Sequence, residues 1–355
     1  MRVDLPSLLP LICPACRVRT ERGRELHTLS LVATHATAGD GDASEVEDGT
    51  LACDNPACGR RYPIVDGIPI VVADAAAHSQ RFGAGILEPN LHPETAALMA
   101  AAGPDDAPYP WLVEHLSVYL DAHWGDRATP PPDGPSPPFG MAAIAAKLAA
   151  LPPRGLTVEL GASAGRGAWE LARVNADAPV VAPVIAIDLQ FAALRRARRL
   201  ARGQALAYAR RVAGRHYTTA TIAAPLATPA LGFVCGDALD PPLVPGAFDR
   251  VVALNLVDAV SAPPQLLSVV DGLCAPGGEV ILTSPYAWQS GIVLEEHRLG
   301  GADPAAAVRR RFTDGDELEA RYTVVEEAEL PWTLRRDARA ATVYRVHWLR
   351  AQKSR

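Results

Sequence analysis

Two pairs of cysteines stand near the start of the chain. Cys13 and Cys16 enclose Pro-Ala in a tight knuckle, and Cys53 and Cys58 follow after a gap of 36 residues in "CDNPAC". Four thiolates at such spacing can close a tetrahedral site, for which zinc is the suited ion. A closed four-thiolate site leaves no open coordination position, so the expected contribution is stability and not catalysis. A second set of residues lies far downstream. In "TVELGASAGRGAWELA" (157–172) an acidic residue, Glu159, precedes Gly161 and Gly165 at the start of a helical pattern. Glycines there let the backbone approach a ligand lying over a helix N-terminus. Asp188 ends "VIAID", where a carboxylate can accept from both hydroxyls of a ribose. Asp237 in "VCGDAL" is suited to an adenine amino group, and Asn255 and Asp258 follow in "LNLVDAV". "ILTSPYAW" (281–288) ends on Tyr286 and Trp288 in a chain with only 20 Phe, Trp and Tyr among 355 residues, so two rings at one loop call for an explanation.

These residues share a position, since each follows an apolar run that reads as a buried strand. The runs lie near 156–160, 183–188, 231–235, 248–254 and 278–284, and helical segments separate them. That alternation predicts a parallel sheet with helices on both faces, and ligands in such sheets bind outside the carboxyl ends of the strands. "EEAELPW" and "ATVYRVHWL" add two strands as an antiparallel pair at one side. The expectation is therefore an α/β fold with a Rossmann-like, seven-stranded, mostly parallel sheet over residues 141–355. Residues 1–75 form a small zinc ribbon with its own core. Residues 76–140 form a helical cap ("PWLVEHLSVYLDAHWGD") and a proline-rich linker ("TPPPDGPSPPFG", 129–140) that suits neither helix nor central strand.

Composition narrows the function classes. With 49% hydrophobic and 21% charged residues the chain is globular, and its net charge of −6 argues against a dedicated nucleic-acid binder. The longest apolar stretches, such as "MAAIAAKLAAL" (141–151), fall short of the roughly 20 residues of a membrane helix. The N-terminus, with its prolines and no small-residue cleavage site, is a poor signal peptide. A soluble, cytoplasmic protein without a membrane partner is expected. Eight arginines between Arg195 and Arg215 read as a solvated helix face, with phosphate or acidic-peptide binding as the alternative. The acidic stretch 39–49 reads as a solvated insertion, and Cys235 and Cys274 as buried packing residues.

The ordered series across the strand ends resembles the class I methyltransferases that use S-adenosylmethionine. The resemblance implies that Glu159, Gly161, Ala162 and Gly165 line the methionine and ribose part of the cofactor. It places Asp188, with Leu189 beside it, at the ribose, Asp237 and Ala238 at the adenine, and Arg166 at the methionine carboxylate. Asn255 opens the fourth strand end into the same crevice. The paired cysteines with "RRYPIVDGIPIVV" (60–72) resemble the zinc-ribbon proteins that bind and activate tRNA and protein methyltransferases. A protein partner through the ribbon is one implication.

"LTSPYAWQSGIVLEEHRLGG" (282–301) and "ELPWTLRRDARAATVYRVHWLRAQK" (329–353) resemble the methyltransferase part of ovothiol-type enzymes, which methylate a mercaptohistidine. "AGRGAWELA" and "LNLVDAV" are similar to carnosine and protein-histidine methyltransferases. The implied acceptor is an imidazole in a small histidine derivative or a peptide. Only the imidazole nitrogen without a proton offers a lone pair to the methyl group, and a carboxylate accepting the opposite N–H would fix the tautomer. Asp258 is the candidate for that role, with helix capping as its alternative. Tyr286 and Trp288 would wall the ring and Tyr344 would hydrogen-bond it. His115, His123 and Trp124 either cap this pocket or pack the helix. An RNA base methyltransferase and a non-catalytic partner protein are the competing readings, and the absence of an Asn-Pro-Pro-Tyr clamp after the fourth strand argues against the first.

Overall fold

The computed structural model describes residues 11–20, 23–38, 45–104, 107–130, 140–289, 291–315, 317–318 and 320–355. Part of the acidic insertion (39–44) and most of the proline-rich linker (131–139) lie outside the described residues.

The amino-terminal region is built of short antiparallel strands. β1 (Val18–Thr20) pairs with β2 (Gly23–Glu25), while β3 (Leu29–Ala38), β4 (Glu45–Cys53), β5 (Arg61–Val65) and β6 (Ile68–Pro69) form a second sheet in sequence order. Asp66 and Gly67 join β5 to β6 with φ of 47° and 67°. Left-handed backbone at both central residues is what a two-residue hairpin turn requires, and Asp-Gly tolerates it best. Three helices follow, α1 (Ala75–Leu87), α2 (Pro93–Ala102) and α3 (Pro108–Trp124), then α4 (Ala142–Ala149).

Seven strands make the main sheet. They are β7 (Thr157–Leu160), β8 (Val184–Asp188), β11 (Leu231–Cys235), β12 (Phe248–Leu254), β13 (Cys274–Ser284), β14 (Tyr322–Arg335) and β15 (Ala341–Lys353). Their order is β11-β8-β7-β12-β13-β15-β14, and β15 runs antiparallel to both neighbours. The chain winds outward from β7 to β8 and β11, then returns to β12 on the other side. The crevice between β7 and β12 is thus the topological switch point, where ligands of such sheets bind. Helices α5 (Arg166–Ala176), α6 (Phe191–Ala201), α7 (Pro263–Leu273) and α8 (Pro304–Asp314) cover the faces. The expected strands and the closing antiparallel pair are all present.

Two expectations change. The amino-terminal region does not keep its own core, because Leu11, Leu29, Leu51, Ile64 and Val71 share one cluster with Val158, Leu160 and Val234 of the main sheet. β11 is an edge strand, and an uncovered edge carries unpaired backbone groups. Here Val71 N–H donates to Cys235 O at 2.8 Å, and Ile12 N–H donates to Pro242 O at 2.9 Å. The arginine run is not a solvated helix face either. The helix ends at Ala201, Gly203 takes φ 74°, and β9 (Leu206–Ala213) and β10 (His216–Ile222) form an inserted hairpin. Arg198 and Arg202 pair with Glu45 and Glu47, Arg196 with Glu88, Arg210 with Asp121 and Arg211 with Glu114. These guanidinium groups staple the amino-terminal region and the helical cap to the main domain.

Candidate active site

Glycines shape the first wall of the crevice. Gly161 and Gly165 have φ of 72° and 75°, and a Cβ on either would lie 2.6 Å from Leu256 or Ala197. Glu159, at the end of β7, is 1% exposed, and neither carboxylate oxygen accepts a well-formed hydrogen bond. Burial, aided by the charge of Asp188, pushes its pKa up to about 8 against the opposing Ala168 amide. Gly167 roofs this carboxylate, since a Cβ there would approach Glu159 Oε1 to 2.4 Å. An orphaned buried carboxylate beside a glycine cradle fits a ligand carrying a cation, as the ammonium of a methionine moiety does. Asp188 accepts from Ser163 N–H at 2.8 Å and Gln190 N–H at 2.7 Å, which ties the end of β8 to the glycine turn. Burial raises its pKa. Leu189 is half-buried, Ala162 and Ala238 are buried, and Asp237 accepts from Leu239 N–H at 2.8 Å.

Arg166 departs from expectation. Its guanidinium grips Asp126 at 2.8 and 3.2 Å and Glu170 at 2.9 Å, and lies over the rings of Trp124 and Trp169. The fork assigned to a methionine carboxylate is committed to bracing α3 against α5. Helix α3 roofs the crevice: the Trp124 indole donates to Ala164 O in the glycine turn at 2.8 Å. His115 stacks between Trp111 and Tyr119, with centroids 5.1 and 4.4 Å away. Burial pushes His115 down to about 4 and His123 down to about 3, the latter also by Arg166, so both imidazoles are neutral near pH 7. Tyr119, which the sequence reading did not single out, has its pKa raised by burial and by nearby Asp188, Tyr344 and Asp258.

The second wall is a loop held in unusual geometry. Asn255 has φ 51°, and its N–H donates to Thr283 O at 2.8 Å while its side chain accepts from Thr283 Oγ1 at 2.9 Å. Asp258 is 3% exposed; it accepts from Ser284 Oγ at 2.7 Å and Ala287 N–H at 2.9 Å, and burial raises its pKa. Both oxygens are engaged, so Asp258 ties the loop after β13 and caps no helix. As at Asp188, each oxygen has accepted one bond, so the contact expected of Asp258 with an acceptor is limited to the lone pairs these bonds leave. Tyr286 and Trp288 sit in that loop with φ of 51° and 37°, their ring centroids 5.8 Å apart. Tyr344 stacks on Trp332 across the β14–β15 pair at 5.1 Å. His347, also missed, lies 2.8 Å from the Tyr286 hydroxyl through Nδ1 and 3.0 Å from Glu327 through Nε2. Period two placed His347 on the face opposite Val346 and Trp348, but its partners come from cross-strand register.

The four cysteines come together as expected. Their sulfurs lie within 4.8 Å of one another, with 3.4 Å between Cys16 and Cys53 and 3.9 Å between Cys13 and Cys58. Tetrahedral zinc with Zn–S near 2.3 Å separates its sulfurs by about 3.8 Å, so the cluster fits that ion.

Residues 158–282 match the family described as "Methyltransferase domain". The strand order with its reversed β15 and this match define a class I methyltransferase fold, and the protein is an S-adenosylmethionine-dependent methyltransferase. Among solved structures, a complex of the Haloferax volcanii Trm112 methyltransferase activator with a putative methyltransferase is 16% identical, with 69% of this chain and 95% of that chain covered and a TM-score of 0.42. A 16S rRNA (adenine(1408)-N(1))-methyltransferase from Catenulisporales acidiphilia is 19% identical, covering 60% of this chain and 91% of that one at a TM-score of 0.36. A putative S-adenosylmethionine-dependent methyltransferase from Listeria monocytogenes is 12% identical, with 60% and 97% covered and a TM-score of 0.38. No curated protein sequence matches the chain. Among the described residues no helix is long and apolar enough to cross a membrane.

Proposed function

We propose that the protein methylates an imidazole nitrogen of a histidine derivative or a histidine-containing peptide. One observation carries this reading. Of the five non-glycine residues with positive φ among the described residues, four (Ser163, Asn255, Tyr286 and Trp288) stand at the carboxyl ends of the sheet strands. Left-handed backbone is costly for aromatic residues and persists where the surroundings over-determine it, which is common at ligand clamps. Here the strain turns two rings and a hydroxyl toward one another beside the switch point, a wall suited to a flat acceptor bearing an N–H.

Glu159, Gly161, Ala162, Gly165, Asp188, Leu189, Asp237, Ala238 and Asn255 are the residues to hold the cofactor. Bound there, it supplies an activated methyl group on a sulfonium. The chain need only hold the acceptor in line with that carbon, and such positioning is worth roughly 7–11 kcal/mol in favourable intramolecular cases. Tyr286, Trp288, Tyr344 and Tyr119 then orient the acceptor, and Asp258 fixes the loop that presents two of them. The ribbon binds structural zinc through Cys13, Cys16, Cys53 and Cys58 and serves its own chain, because the face that covers β11 is already in use.

The test is transfer of label from methyl-labelled S-adenosylmethionine to histidine derivatives, histidine peptides and RNA offered side by side. Label in an imidazole is expected. Label confined to RNA would overturn the reading, and the pairing of most of the arginine run with acidic side chains and backbone carbonyls speaks against that outcome.

A further inference from the structure

The hydroxyl of Tyr286 does not simply face the crevice. It lies 2.8 Å from His347 Nδ1, whose other nitrogen lies 3.0 Å from Glu327 Oε1, and Glu327 in turn meets Arg309 of α8 at 3.0 Å. His347 is 4% exposed, and the chain of groups runs from this buried ring outward to Glu327 and Arg309, whose side chains reach solvent. We propose that Glu327, His347 and Tyr286 form a relay that holds the acceptor's N–H and receives its proton. This rests on the imidazole reading and fills the role that the engaged oxygens of Asp258 leave open.

The direction of the relay follows from the chemistry of its ends. Glu327 is a carboxylate held below its usual range because, although burial opposes it, Arg309 and His347 favour the anion. It can only accept, so His347 carries its proton on Nε2 and presents a lone pair at Nδ1. Tyr286 must then donate its O–H to Nδ1, which turns an oxygen lone pair toward an N–H donor in the crevice. Burial, with Asp258, Glu329, Glu327 and Asp303 nearby, raises the pKa of Tyr286 and keeps that proton in place at rest. Ser284 faces His347 across the β13–β15 ladder, and Glu329 faces it across β14–β15. On transfer, the acceptor nitrogen's lone pair forms the new N–C bond while the C–S bond breaks with its electrons left on sulfur. The acceptor is now cationic, and its opposite N–H proton passes to Tyr286 Oη as the Tyr286 proton passes to His347 Nδ1. The product leaves neutral, and the imidazolium of His347 is balanced by Glu327 until water takes the proton. Tyr286 is the group that touches the acceptor; His347 and Glu327 act through it.

The experiment has two arms. Ring-nitrogen NMR of His347 in the ligand-free protein should show the Nε2–H tautomer, and an Nδ1–H tautomer overturns the relay whatever the acceptor is. In the second arm, kcat is followed against pH with the labelled acceptor. Wild-type kcat should show an acid limb, because the relay works only while Nδ1 offers a lone pair. H347Q and E327Q should lose on the order of 10²-fold in kcat with little change in KM, the scale of general acid–base contributions. In H347Q the acid limb of kcat should vanish, whereas the limb of kcat/KM from the acceptor's own protonation stays. If H347Q fails to fold, judged by circular dichroism and cofactor titration, Y286F must lose the same limb. A variant that keeps the wild-type kcat and its acid limb overturns the relay. If the labelled pool is not an imidazole, the imidazole reading fails, and the same variants still decide the relay on the true acceptor.

Discussion

Glu159 and Glu279 are both 1% exposed and belong to the same sheet, yet their surroundings are opposite. Glu279 sits low on β13, where Arg250 approaches at 2.6 Å, Arg350 at 2.8 Å and Arg154 at 3.5 Å. Burial alone would raise its pKa, but Arg250 and Arg350 outweigh it and hold the carboxyl below its ordinary value. Glu159, at the carboxyl end of β7, has no such partner and is pushed up to about 8. A buried charge is tolerated only when paired, so the two ends of the sheet serve different ends. At the lower end both oxygens of Glu279 are paired within the chain. At the upper end both oxygens of Glu159 are left without a partner in the chain.

This contrast can be broken at several points. Removing one partner of a buried pair typically costs about 3–5 kcal/mol. Arg250→Met should fall at the low end of that range, since Arg350 and Arg154 remain beside Glu279, and denaturant unfolding should report it with cofactor affinity unchanged in the folded fraction. A loss below about 1 kcal/mol would mean the lower cluster is no more than a surface pair.

Glu159 should give the reverse sign. Its folded pKa is raised from 4.5 to about 8, so its contribution to stability is fully present below pH 4.5 and is lost as pH rises through 8. The ligand-free protein should therefore lose about 4 kcal/mol between those limits from this group. Glu159→Gln should abolish that slope and stabilise the ligand-free protein at pH 7, as read by thermal unfolding across pH. An unchanged slope would show that the carboxylate has a partner in solution.

A cofactor-side change comes next. Asp188→Ala removes the proposed acceptor for the ribose hydroxyls and should weaken cofactor binding by about 1.5–3 kcal/mol in calorimetry. The smallest effect is expected at the junction with the amino-terminal region. Arg202 is a third exposed and shares Glu45 and Glu47 with the more buried Arg198, so Arg202→Ala should cost within 1 kcal/mol. A larger loss in thermal unfolding would show that the staple acts as a network.

Much of this architecture was legible in the chain. The five apolar runs became β7, β8, β11, β12 and β13 because period and punctuation are local properties, and the acidic residues behind them mark strand ends for the same reason. The cysteine knuckles are equally local, since two short loops need only fold toward each other. Hairpin β9–β10 was hidden by its charge: "AYARRV" alternates as a strand does, but a run of arginines also suits a helix face.

Partner choice was not legible, because it depends on which side chains a distant strand brings alongside. Asp258 looked like a group for an acceptor, and only the register of β12 against β13 turned both its oxygens to Ser284 and Ala287. Arg166 looked like a carboxylate fork until the turn after α3 brought Asp126 beside it. His347 carried no signal of its own, as its two partners lie 61 and 20 residues away in sequence. Residue type and periodicity decide what a position can do. Packing decides which groups are already satisfied, and the free energy of an unpaired buried charge makes the remaining ones the place where a ligand binds.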